Sequence, residues 1–222
     1  VYAKKNGLKT AVMTFSKNPI SYFGFKAQNI MSIEQRAYEL EKLGVNYLYE
    51  LDFEKYKDMK ADDYLSVLVE NLSPKLIVAG FNHYFGKNKT AGSDFLIENS
   101  KKYGYECKII PEIKFSGHTV SSSEVRKYIL KADLDYANSL LGRSFSITNT
   151  VIKGDGVARS LGYPTANLLW QEDIVKLPYG VYLGSVETDN KKIPSIISWG
   201  VKPTFKTTKS EVLEAHIYNY DK

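Results

Sequence analysis

Cysteine is nearly absent. The single one in 222 residues, Cys107, excludes an internal disulfide framework and fits a reducing cytoplasm. Histidine is almost as scarce, with three residues set far apart, so a His/Cys metal centre has little to build on. No apolar run approaches the roughly 20 residues that span a bilayer, and no signal-peptide pattern is visible. A membrane protein is therefore not expected. Internal repeats and low-complexity tracts are missing too. What is present is ordinary globular material, 43% hydrophobic and 25% charged, in a length that suits one large domain or two small ones. Lys and Arg total 30 against 25 Asp and Glu, a formal charge of +5. That balance favours anionic partners such as nucleotides, phosphorylated metabolites or nucleic acid, although a lysine-rich solvated surface produces it equally well.

The chain has two grammars. Up to about Leu141, strands alternate with helices: "LKTAVMTF", "VNYLYEL", "KLIVAGF" and "YECKIIP" read as strands, with "SIEQRAYELEKLG", "ADDYLSVLVENL" and "SDFLIENSKKYG" as helices between them. Ser32 and Gln35 predict a capping box, and Gly44 and Gly104 predict helix stops. Such alternation implies right-handed βαβ units around a parallel sheet, a Rossmann-like half. Beyond Arg143 the pattern turns to β-rich segments punctuated by Gly, Pro, Asp and Asn: "FSITNTVIKG", "GVYLGSVET", "KIPSIISWG" and "SEVLEAHIYNY". This argues for a small antiparallel barrel or sandwich. The fold class is thus α/β followed by all-β, and the boundary near Leu141–Phe145 divides the chain into domains 1–142 and 143–222.

Three stretches carry candidate chemistry. In "KLIVAGFNHYFGKNKTAG", Gly80 and Gly86 permit close backbone approach and Asn82, Lys87 and Lys89 offer donors, where open parallel sheets bind ligands; a plain strand-to-helix loop has the same composition. In "VSSSEVRKYI", Ser121 and Glu124 form a potential capping box at a helix N-terminus. Ser122 and Arg126 beside it could grip a phosphate; simple N-capping with a solvated arginine is the alternative. In "KGDGVARSLGYPTANL", Gly154 and Gly156 loosen the backbone and Pro164 forces an extended entry. Thr165 and Asn167 then project from one face. Their oxygens suit phosphate and magnesium, a hard cation, yet the stretch also fits a β-bulge with a turn. In "EVLEAHIYNY", Leu213, Ala215 and Ile217 make an apolar face, so Glu214 and His216 point the other way with Val212 and Tyr218. Glu214 is a candidate general base for an alcohol; a strand with a polar outer face is the plainer reading.

These stretches, together with "LEKLGVNYLYELDF", "LPYGVYLGSV" and "SWGVKPTF", occur in the order and spacing of the bacterial bifunctional riboflavin kinase/FMN adenylyltransferases, which the chain resembles over nearly its whole length. The Gly-rich run ending in Pro-Thr-Ala-Asn is the most specific marker. The resemblance implies an N-terminal nucleotidyltransferase domain that adenylylates FMN to FAD. It also implies a C-terminal six-stranded barrel that phosphorylates riboflavin to FMN with ATP and Mg2+. Carried over residue by residue, Thr165 and Asn167 would bind Mg-ATP, with Lys153, Gly154, Gly156 and Gly162 around the phosphates. Glu214 would take the proton of the riboflavin 5′-hydroxyl. Asn82 would face substrate in the first domain, where Ser122 and Arg126 would hold nucleotide phosphates.

Departures concentrate in the first half. Ser16, Lys17 and Asn18 stand where the family has Asp, Pro and His, and Tyr84 replaces an Arg. The family's leading Gly-x-Phe-Asp-Gly-x-His-x-Gly-His strand and its closing strands and helix have no counterpart, so the chain is expected to be incomplete at both ends. A kinase with a degenerate adenylyltransferase domain is the narrower enzymatic reading. A basic RNA-binding protein is the rival of another class, since 17 tyrosines could stack bases. The strands show no aromatic cluster interleaved with Lys or Arg, so the expected partners are small molecules and not nucleic acid.

Overall fold

The structure is a computed structural model, and it describes residues 1–25, 28–154, 164–188, 191–202 and 210–219. Two compact units divide it: Val1–Ala27 with Arg36–Val120, and Gln28–Gln35 with Ser121–Lys222.

The first unit runs α1 (Tyr2–Lys5), β1 (Ala11–Phe15), α2 (Pro19–Tyr22), the body of α3 (Ile33–Lys42), β2 (Tyr47–Leu51), α4 (Phe53–Tyr56), α5 (Ala61–Leu72), β3 (Leu76–Gly80), α6 (Ser93–Glu98), α7 (Ser100–Tyr103), β4 (Glu106–Ile110) and a small hairpin, β5 (Lys114–Phe115) with β6 (His118–Thr119). β1 pairs with β2 and β3 with β4, both in parallel, with helices in each crossover. Among the described residues these are two separate two-stranded sheets, where the alternation predicted one. Buried Leu65 from α5, Leu96 from α6 and Tyr105 before β4 form this unit's core. The Tyr105 hydroxyl donates to the Leu96 carbonyl at 2.7 Å, and burial pushes its pKa up to about 12.

Local chemistry explains several boundaries. Ser32 and Gln35 make the reciprocal capping box ahead of α3: the Gln35 N–H donates to Ser32 Oγ and the Ser32 N–H to Gln35 Oε1, each at 3.2 Å, satisfying two otherwise orphaned donors. The single helix predicted over "SDFLIENSKKYG" is broken between α6 and α7. Asn99 caps the break, its amide donating to the Phe95 carbonyl at 3.0 Å. Such competition from a short polar side chain interrupts helices. Gly104 ends α7 at φ 73°, a left-handed conformation that glycine adopts without a Cβ clash.

The second unit contains α8 (Ser122–Leu130), α9 (Leu134–Leu141), β7 (Val151–Ile152), β8 (Thr165–Leu168), β9 (Gly180–Thr188), β10 (Lys191–Lys202) and β11 (Ser210–Ile217). Its strands form a five-stranded antiparallel sheet in the order β7-β8-β11-β10-β9. The predicted barrel is therefore seen as an open sheet among the described residues, with β7 and β9 at its edges. Closure needs every edge paired, and β7 meets β8 through two residues only, Val151 opposite Leu168 and Ile152 opposite Asn167. One face of the sheet buries Trp199 and Leu213 against Trp170 and Ile174. The two indoles lie 4.6 Å apart, and Trp199 Nε1 donates to the Leu177 carbonyl at 3.0 Å.

The short segment Gln28–Gln35 packs with this second unit although the chain around it belongs to the first. Asn29 bridges to Ile174, its side-chain amide donates to Asp173 at 2.9 Å, and Gln35 Nε2 donates to the Ser146 carbonyl at 2.9 Å.

Candidate active site

Strand register assembles the first group of candidate residues. On β8 and β11, Asn167 stands directly opposite Glu214, and Thr165 opposite His216. Directly opposed residues of an antiparallel pair share a face, with Cβ atoms about 4.5–5.5 Å apart. Asn167 also opposes Ile152 of β7, and Glu214 opposes Ser198 of β10. One row across the sheet thus reads Ile152, Asn167, Glu214, Ser198. The next row on the same face holds Thr165, His216 and Ile196. The alternation read from "EVLEAHIYNY" holds here: Leu213 and Ala215 are buried on the reverse face while Glu214 and His216 share the face of Thr165 and Asn167.

Gly154, just past β7, is pressed against this row. A Cβ on it would lie 2.5 Å from Asn167 Nδ2 and 2.9 Å from Asn167 Cγ. No φ in the left-handed region is involved, so the glycine is there for space and not for backbone conformation. Asn167 itself is buried, at 6% exposure, and its Nδ2 donates to the Thr165 carbonyl at 3.4 Å. That assignment directs Oδ1 as the amide's remaining acceptor. Lys153 is exposed beside Gly154. Gly156 and Gly162 lie outside the described residues.

A hydroxyl, an amide oxygen and a carboxylate on one face form a set of hard oxygen donors, the chemistry that suits magnesium. A magnesium ion held by such a set would neutralise phosphate charge, and Glu214 could take a proton from an alcohol. Among the described residues, no group of three or more His, Cys, Asp or Glu side chains gathers in a way that could hold a metal.

The second group is split between the two units. Asn82 follows β3, in the first unit, at the carboxyl end of a parallel strand. Its Oδ1 would meet a Cβ on Gly80 at 3.3 Å. Ser122 and Arg126 lie on α8 in the second unit. Ser121 is the N-cap, accepting from the Glu124 N–H at 3.3 Å. The predicted capping box is one-sided, because the Glu124 carboxylate turns to Lys127 Nζ at 3.2 Å. Ser122, the first helical residue, is exposed. Arg126 is half-buried, and its Nε donates to the Gln28 carbonyl at 2.5 Å; desolvation lowers its pKa from the ordinary arginine value. The bond to Gln28 went unforeseen because the partners are far apart in sequence. His83, next to Asn82, escaped notice as well. It stacks on Phe85 with centroids 5.7 Å apart, and burial lowers its pKa.

Two family models define the class of molecule. Residues 1–124 match the FAD synthetase family and residues 141–222 the riboflavin kinase family. The bifunctional riboflavin kinase/FMN adenylyltransferase of Pseudomonas fluorescens is 30% identical, over 96% of this chain and 70% of that protein. The enzyme of the same name from Buchnera aphidicola subsp. Schizaphis graminum is 28% identical, over 98% of this chain and 72% of its own length. A solved structure described as a macrolide-efflux protein from Streptococcus pneumoniae superposes with a TM-score of 0.83 at 29% identity, covering 100% of this chain and 73% of that one. Efflux is that protein's description; among the described residues here, no helix is long and apolar enough to cross a membrane.

The chain belongs to the bifunctional riboflavin kinase/FMN adenylyltransferase family. It is an enzyme of flavin cofactor biosynthesis, phosphorylating riboflavin to FMN and adenylylating FMN to FAD.

Proposed function

We propose that the sheet face bearing Thr165, Asn167 and Glu214 is the riboflavin kinase site. Glu214 accepts the proton of the riboflavin 5′-hydroxyl as that oxygen attacks the γ-phosphorus of ATP; the bond to ADP breaks and ADP leaves. Thr165 and Asn167 hold the metal-bound nucleotide, and Lys153, Gly154, Gly156 and Gly162 line its phosphates. Magnesium, when bound, supplies charge neutralisation on the phosphate oxygens. The observation that carries this reading is the register pairing of Asn167 with Glu214, with Gly154 packed on the Asn167 amide. The open sheet closes, on this reading, as a six-stranded barrel.

For the adenylyl transfer, Asn82 faces the substrate, and Ser122 and Arg126 hold the nucleotide phosphates. The bond from Arg126 Nε to Gln28 supports this, because it anchors the guanidinium by one edge and leaves its terminal nitrogens to define a direction. By chemistry, residues 1–142 form the adenylyltransferase domain and 143–222 the kinase domain. The partners are small molecules (ATP, riboflavin and FMN), and the setting is the cytoplasm.

The test is a pair of substitutions assayed for both products. Glu214→Gln lowers FMN formation by about 10²–10⁴-fold, the usual size of a general-base contribution, and leaves FAD formation from supplied FMN intact. Arg126→Ala does the reverse. Equal damage to both reactions by both substitutions would overturn the two-site assignment.

A further inference from the structure

His216 is two residues beyond Glu214 on β11 and directly opposite Thr165. Its Nδ1 lies 3.0 Å from the carbonyl oxygen of Pro164. A carbonyl can only accept, so Nδ1 carries the proton and donates. Pro164 has no N–H of its own, and its carbonyl belongs to the peptide group that delivers the chain into Thr165. The imidazole therefore ties the first peptide of β8 to the strand that carries Glu214. Thr165 begins β8, so the bond acts on the peptide by which the chain enters the strand.

We infer that His216 is a positioning residue of the kinase reaction: its Nδ1–H holds the Pro164 carbonyl and thereby fixes the Thr165 hydroxyl relative to Glu214. The inference rests on the kinase reading of this face. It assigns His216 no proton transfer and no contact with substrate. Positioning of this kind matters because displacements of about 1 Å at a reacting centre cost on the order of 100-fold in rate.

Three variants of the full chain test it: His216→Ala, His216→Asn and His216→Gln. The Asn amide nitrogen falls near the position of Nδ1, whereas the Gln amide extends to that of Nε2. We expect His216→Ala to lower kcat/KM for ATP in FMN formation by roughly 10–100-fold and to raise the Mg2+ concentration giving half-maximal rate. His216→Asn should recover most of the loss and His216→Gln little of it, with FAD formation from FMN unchanged in all three. Wild-type FMN formation in His216→Ala overturns the inference. So does an Asn variant no better than the Gln variant at equal thermal stability, which would mark the ring as packing only. Glu214→Gln run alongside separates the two levels. If it leaves FMN formation intact, the kinase reading of the face fails; if it abolishes FMN formation while His216→Ala does not, only the positioning role fails.

Discussion

Replacing Gly154 by alanine adds one methyl group against the side chain of Asn167. The new carbon would stand 2.5 Å from Asn167 Nδ2, 2.9 Å from Cγ and 3.2 Å from Oδ1. Carbon atoms in contact settle about 3.5–4.0 Å apart, so one partner has to retreat by roughly 1 Å. Asn167 is buried in the sheet between Ile152 and Glu214 and cannot swing away into solvent. Overpacking of this kind costs about 1–3 kcal/mol of stability. A 1 Å shift of a proposed metal-nucleotide ligand costs about 100-fold in rate, equal to about 2.7 kcal/mol on the barrier. The assay is the initial rate of FMN formation at varied Mg-ATP, with FAD formation from FMN as the internal reference. Gly200→Ala is the matched control: Gly200 lies on β10 of the same sheet, a Cβ there meets nothing within 4 Å, and its φ is not left-handed. If Gly154→Ala phosphorylates riboflavin within about twofold of Gly200→Ala, far short of the misplacement penalty, the packing of Gly154 on Asn167 has no part in catalysis.

Two further outcomes concern stability. Leu213→Ala empties a position with 8% exposure in the cluster that holds both tryptophans, and should cost about 2–5 kcal/mol, read as a lower urea midpoint by tryptophan fluorescence. Burial lowers the His83 pKa below the ordinary histidine value, so the unfolded chain binds the proton more readily than the folded one. Stability should therefore fall as pH drops below about 6.5 and level off once pH passes beneath the folded value. His83→Leu should flatten that part of the profile, measured by urea titration of the far-UV circular dichroism.

Local signals were legible wherever neighbours in sequence decide the structure. Helix α5 covers "ADDYLSVLVENL" as its periodicity predicts. Ser32 and Gln35 make their box, and the two faces of β11 separate as the alternation requires. The hairpin β5–β6 could have been found as well, since Ser116 and Gly117 both take positive φ and such a Ser-Gly pair is a turn signal. What the sequence alone could not supply was register. Asn167 meets Glu214 only because β11 inserts between β8 and β10, and no periodicity encodes which distant strand becomes a neighbour. The same holds for Arg126 and Gln28. The tie between His216 and Pro164 was hidden for another reason: the pattern put His216 on the right face but could not show the Pro164 carbonyl meeting its ring.

The packing of Gln28–Gln35 with the second unit bears on how this gene can be dissected. A truncation starting at residue 143 discards Asn29 and Gln35, stripping Ile174, Asp173 and Ser146 of their partners. A fragment expressed to study phosphorylation alone is thus better supplied with that octapeptide, tethered or added in trans, than taken as a clean C-terminal cut.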